Sequence, residues 1–189
     1  MKSVMISIQP YWVFLIIAKV MGWNIGKEKT VEVRKNYPKA EKWNKVVKIY
    51  CSKDKKSFAK IPVEYQPLME RFLGKVIGEF VCDKIYKRSP HSLIVKEDRE
   101  RATAGSCLTA QEIRDYVRGN RVTYNLADLP DFYCWHISNL VVYDEPKPLS
   151  NYLRCPYPWE CEACDLFDGF DMSCNRKIRP PQSWCYVEG

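Results

Sequence analysis

The run Tyr11–Met21, YWVFLIIAKVM, constrains the fold of this chain more than any other stretch. It is apolar almost all round, so it has no polar face to turn to water. It is also far shorter than the roughly 20 apolar residues that cross a bilayer, and Lys19 sits inside it. No small-residue cleavage site follows, so it does not read as a secretory signal. What remains is a helix buried on most sides, opened by Pro10 at its first turn and stopped by Gly22 and the Asn24–Gly26 turn. A chain built this way must wrap its other elements around that helix.

Those other elements read mainly as strands. Val4–Ile8 alternates apolar and polar residues, and Thr30–Arg34 (TVEVR) alternates cleanly, with Val31 and Val33 on one face and Thr30, Glu32 and Arg34 on the other. Lys45–Cys51, Lys75–Tyr86, Tyr133–Tyr143 and Ser183–Glu188 read as four more strands, with Gly78 marking a bulge. Glu64–Leu73 is a short helix interrupted by Pro67. Thr109 caps a second helix over Gln111–Val117, with Glu112 in capping-box position. Ser52–Lys60 and Lys87–Gly105 read as polar loops. The expectation is an α+β fold, a small mixed β-barrel with a buried N-terminal helix and peripheral short helices. Residues 1–150 form the barrel, 151–178 a Cys-rich appendage, and 179–189 its closing strand.

The nine cysteines cannot all pair within one chain, and the default compartment is reducing and cytoplasmic, with thiols free or metal-bound. Cys155, Cys161, Cys164 and Cys174 follow the spacing C-x5-C-x2-C-x9-C in a segment with little apolar periodicity. Such a segment gains order from a structural Zn²⁺ held by four thiolates. Free, partly buried thiols are the competing reading. A redox pair at Cys161–Cys164 lacks the βαβ pattern that would surround it.

The formal net charge of +7 is compatible with a polyanionic partner. Lys53, Lys55 and Lys56 lie in the basic stretch Ser52–Lys60 and suit a phosphate-contacting rim, or simply a solvated loop. No RNP, KH or zinc-knuckle signature marks a sequence-specific reader. On the TVEVR strand, Thr30, Glu32 and Arg34 follow one another at steps of about 6.5–7 Å, with Lys29 just ahead of them. Lys and Arg there suit a phosphate or a carbonyl oxygen, and Glu32 suits proton transfer or a base edge. The plain alternative is a solvated face with an ion pair. His136, between Trp135 and Ile137, faces the other way from both of them, as an acid–base candidate or a histidine bonded to backbone.

The segment Gly26–Arg34, GKEKTVEVR, resembles the signature of the ASCH family, a glycine followed by K-T-x-E-x-R at a helix-to-strand junction. The flanking Ile8-Gln9-Pro10, the strands KVVKIYCS and GKVIGEF, the Trp135-His136-Ile137 strand and the closing PPQSWCYVE look like a phage and bacterial branch of that family. The resemblance implies a PUA-like barrel with an RNA-binding cleft beside it, while the shortness of the apolar run leads to the expectation of no membrane association. The resemblance also implies RNA or a modified nucleoside as ligand, held by Lys29, Thr30, Glu32 and Arg34; Lys53, Lys55, Lys56 and His136 join them as candidates read from charge and strand alternation. Two alternatives remain: a nucleoside amidohydrolase or ribonuclease using Lys29 and Glu32 in the same cleft, or a phage-encoded protein-interaction module.

Overall fold

In the computed structural model, residues 3–39, 45–123, 125–154 and 180–188 are described. Strand β1 (Ser3–Ile8) runs into helix α1 (Pro10–Ile17), and β2 (Val31–Arg34) and β3 (Val46–Cys51) follow. Two short helices, α2 (Lys55–Phe58) and α3 (Gln66–Glu70), lead to β4 (Lys75–Val81) and β5 (Ile85–Arg88). Helices α4 (Lys96–Thr103) and α5 (Ala110–Arg118) precede β6 (Phe132–His136), β7 (Ser138–Pro148), β8 (Leu153–Arg154) and β9 (Trp184–Glu188). One sheet has the order β7-β4-β3-β1-β9-β8 and the other β2-β6-β5. β1 and β3 pair in parallel because α1 and β2 form the crossover between them, and the remaining pairs are antiparallel.

The first part of the apolar run is the buried helix expected, but the helix ends at Ile17, and residues 18–22 form a turn in which Val20 is exposed. Val13, Phe14, Leu15, Ile16 and Ile17 are each no more than 3% exposed. They pack on Val4, Ile6, Ile8, Val47 and Ile49 of the central strands. Each such side chain contributes about 1.5–3 kcal/mol through burial. Met5 points to the other face of the sheet, into a second cluster with Tyr50, Val76 and Val187. The strand is therefore covered on both faces. β9 pairs with β1 from Ser3↔Val187 to Ile6↔Trp184.

Two expected strands each prove to be a pair. Lys75–Tyr86 divides into β4 and β5, and Tyr133–Tyr143 into β6 and β7, with the halves in different sheets. The breaks lie side by side. The ring of His136 meets Asp83 at 2.6 Å, the His136 amide donates to the Lys84 carbonyl at 2.9 Å, and the Ser138 hydroxyl donates to the Val81 carbonyl at 2.8 Å. An antiparallel ribbon turns a barrel corner here, and side-chain bonds hold the turn. The expected loops also contain helix: α2 lies in Ser52–Lys60, capped by Asp54, and α4 lies in Lys87–Gly105. The expected zinc ligands Cys155, Cys161, Cys164 and Cys174 lie outside the described residues. Among the described residues, no helix is long and apolar enough to cross a membrane.

Candidate functional site

β2 is four residues long, and its register fixes what each face carries. Glu32 lies opposite Trp135 and Arg34 opposite Tyr133, while Val31 lies opposite His136 and Val33 opposite Cys134. Val31 and Val33 face a cluster with Leu93, Ile113, Val117 and Phe132. Glu32 and Arg34 face a cavity of about 410 Å³ between β2, α5 and the β1–α1 junction.

The start of β2 is clamped by the turn that follows α4. The Gly105 carbonyl accepts from the amides of Thr30 and Val31, at 2.8 and 3.0 Å. Gly105 has φ +67°, and a Cβ there would lie 2.3 Å from Thr30 Oγ1, so the approach needs glycine on both counts. Next to it, the carbonyl of the fully buried Ser106 accepts from Lys29 Nζ at 2.7 Å.

Lys29, 2% exposed, also donates to the Val31 carbonyl at 2.8 Å and lies 3.3 Å from Glu32 Oε2. The ammonium thus donates to two main-chain carbonyls and is ion-paired with Glu32. The charge also stands 5.4 Å from the centroid of the Trp12 ring. The other Glu32 oxygen meets Arg34 Nη2 at 3.0 Å. Arg34 donates further to the carbonyl of Ser7 at 2.8 Å and, more weakly, to that of Ser183 at 3.4 Å. Its Nε is buried and has no hydrogen-bond partner among the described residues. The result is a buried chain, Lys29–Glu32–Arg34, fastened at both ends to main-chain carbonyls.

Helix α5 is the facing wall. Its capping box, with the Thr109 side chain on the Glu112 amide and Glu112 on the Thr109 amide, fixes where the helix begins. Glu112, Asp115 and Tyr116 line the cavity, while Ile113 and Val117 anchor the helix behind. Burial pushes the Tyr116 hydroxyl above the ordinary phenol range, against the pull of Arg34 and with the help of Glu32. The Lys35 ammonium lies 5.1 Å from the centroid of the same ring. Ser7, Ile8, Gln9 and Trp12 form the opposite wall, with Gln182 at the rim. The charged lining is two cations, Lys29 and Arg34, and three carboxylates, Glu32, Glu112 and Asp115. The cavity itself is therefore not the basic cleft expected.

The other candidate residues lie elsewhere. Thr30 turns toward Gly105 and is not part of the cavity lining. His136 lies on the face of β6 that looks away from Glu32, half-exposed against Asp83. Lys53, Lys55 and Lys56 are exposed on and before α2. They adjoin the cavity without lining it, because the Gln9 amide donates to Asp54 at 3.3 Å and the Tyr11 amide to Ser57 Oγ at 3.1 Å. The α5 wall went unforeseen. Its capping box marked a helix start in the sequence, but nothing there linked that helix to β2.

No family model matches the chain, and no curated protein matches it in sequence. Solved structures do. A tyrosine-to-phenylalanine variant of ZmASCH from Zymomonas mobilis matches over 96% of this chain and 87% of its own, at 18% identity and a TM-score of 0.52. A serine-to-alanine variant of the same protein matches over 96% and 85%, at 20% identity and a TM-score of 0.51. At such identities the likeness is one of fold. The chain has the α+β, barrel-like architecture of an ASCH protein.

Proposed function

We propose that this chain binds RNA, or a modified nucleoside, in the cleft between β2, α5 and the β1–α1 junction. The observation that carries this reading is the convergence of Lys29, Glu32, Arg34 and the Trp12 ring on one cavity of about 410 Å³. That volume is in the range of small-ligand sites, which are roughly 300–1,000 Å³. An aromatic ring for stacking beside fixed hydrogen-bonding groups suits an unstacked base. The exposed lysines on and before α2, tied to the cavity through Gln9 and Asp54, supply positive charge where a backbone phosphate would run.

One contact favours the enzymatic alternative: Lys29 and Glu32 stand 3.3 Å apart. A lysine nucleophile, however, needs a free lone pair, and this ammonium donates to two carbonyls and is ion-paired with Glu32. Breaking those bonds in a buried place costs more than an exposed lysine would pay, so binding is the stronger reading. The test is fluorescence anisotropy of a short labelled single-stranded RNA, with the wild type and a Lys53/Lys55/Lys56→Ala variant over a salt series. Each lysine that contacts a phosphate should lower the salt slope by about 1 when removed. RNA affinity independent of salt, or no RNA affinity with turnover of acylated nucleosides, would contradict the proposal.

A further inference from the structure

β2 is an edge of its sheet, and its register decides which of its main-chain groups face away from β6. The Ile137 amide donates to the Thr30 carbonyl at 2.9 Å, which makes Thr30 and Ile137 a hydrogen-bonded pair. Such pairs alternate along an antiparallel ladder. Glu32 and Arg34 therefore also turn their N–H and C=O toward β6, while Val31, Val33 and Lys35 turn theirs outward. The far side of β6 keeps the same alternation, since the His136 amide donates to the Lys84 carbonyl just ahead of β5.

The outward groups at the two ends of β2 are covered. The Val31 amide donates to the Gly105 carbonyl at 3.0 Å, and the Val31 carbonyl accepts from Lys29 Nζ at 2.8 Å. The Lys35 amide is turned toward the Tyr116 hydroxyl. Between them, the N–H and C=O of Val33 have no partner among the described residues. The Val33 side chain packs behind, in the cluster with Ile113 and Val117, yet the residue also lines the cavity. Val33 is only 4% exposed. A main-chain donor and acceptor in so buried a place are nearly always paired, so these two await a partner from the cavity.

The gap also sets the chemistry of that partner. The N–H and C=O of one outward residue point the same way, as they do toward a neighbouring strand. A whole strand cannot add here, because the outward positions on either side are covered by Gly105, Lys29 and Tyr116. What fits is a single planar amide-type edge, an N–H donor beside an oxygen or ring-nitrogen acceptor.

We infer that the main chain of Val33 is the hydrogen-bonding subsite of the cavity, and that it takes one amide-type edge of the ligand in two parallel bonds. This rests on the ligand-binding reading above and adds to it the group that the cavity grips.

The experiment is NMR of the isotope-labelled chain, free and with the short single-stranded RNA, with uridine, cytidine, adenosine or guanosine, or with inorganic phosphate alone. In the free chain the Val33 amide should exchange with solvent about tenfold or more faster than the ladder amides of Glu32 and Arg34. RNA, or at least one nucleoside, should shift the Val33 amide signal and slow its exchange, and phosphate should do neither. Two variants add affinity. Val33→Ala trims the side chain and keeps the N–H, whereas Val33→Pro trims it and removes the N–H, which a strand tolerates only where that group points away from the ladder. Both should fold, and only Val33→Pro should lose about tenfold or more of the RNA affinity. A Val33 amide that exchanges as slowly as its neighbours would overturn the inference. So would RNA bound without movement of its signal, the same shift from phosphate alone, equal affinity of the two variants, or a Val33→Pro chain that fails to fold where Val33→Ala folds. Each of these leaves RNA binding itself standing. If neither RNA nor any of the nucleosides binds, the underlying reading has failed and this inference with it.

Discussion

Lys29 Nζ sits 2.7 Å from the carbonyl of Ser106, 77 residues further along the chain. This bond joins the start of β2 to the turn between α4 and α5, and so sets one wall of the cavity against the other. A buried cation that loses its partners, or leaves a partner uncompensated, is strongly destabilising. Lys29→Met should therefore cost about 3–5 kcal/mol in urea unfolding, since it strands Glu32 beside a single cation. A cost no larger than that of a surface lysine change would mean that Lys29 does not brace the site.

Gly105 offers a second probe of the same brace. Its φ of +67° and the 2.3 Å approach that a Cβ would make to Thr30 Oγ1 both oppose a side chain. Gly105→Ala should destabilise by more than about 1 kcal/mol. Gly22 has φ +70° with nothing within 4 Å of a built Cβ, so Gly22→Ala should cost less. Thermal melts of the two variants side by side give the order, and a reversed order would remove the steric argument.

The barrel corner predicts a pH dependence. A hydrogen bond from His136 is the leading cause that holds the Asp83 carboxyl below its ordinary value. A carboxyl depressed in the folded state adds stability above its unfolded pKa, and that stability is lost as pH falls through the folded pKa. His136→Ala should thus destabilise more at pH 7 than at about pH 3. The pair is exposed, so the difference should be small. The same variant should leave ligand affinity unchanged, because His136 faces away from the cavity.

Much of this arrangement was legible in the sequence, for local reasons. The apolar run had to be buried. TVEVR alternates so plainly that Glu32 and Arg34 had to share a face. Thr109 and Glu112 announced a helix start. The corners were not legible, because both halves of Lys75–Tyr86 and of Tyr133–Tyr143 have strand character and neither break carries a glycine or proline. Only pairing with a distant ribbon decides where such a strand bends. The same limit hid α5 as a cavity wall. His136 was placed on the correct side of its own strand, yet which side faces the cavity depends on the register Val31↔His136.

The Cys155, Cys161, Cys164 and Cys174 set is a separate expectation. If it holds structural zinc, the purified chain should contain one equivalent of metal by elemental analysis, and chelation should lower its melting temperature. Metal-free protein with unchanged melting would dispose of the idea.

In the proposed binding mode the ligand enters the cleft against Trp12. The direct measurement is the affinity of a short single-stranded RNA for the wild type and for Trp12→Ala at one fixed salt concentration. Loss of a stacked base should weaken binding by about 1–3 kcal/mol, while the salt slope, set by phosphate contacts, should stay the same. Equal affinity in the two proteins would place the RNA somewhere other than this cleft.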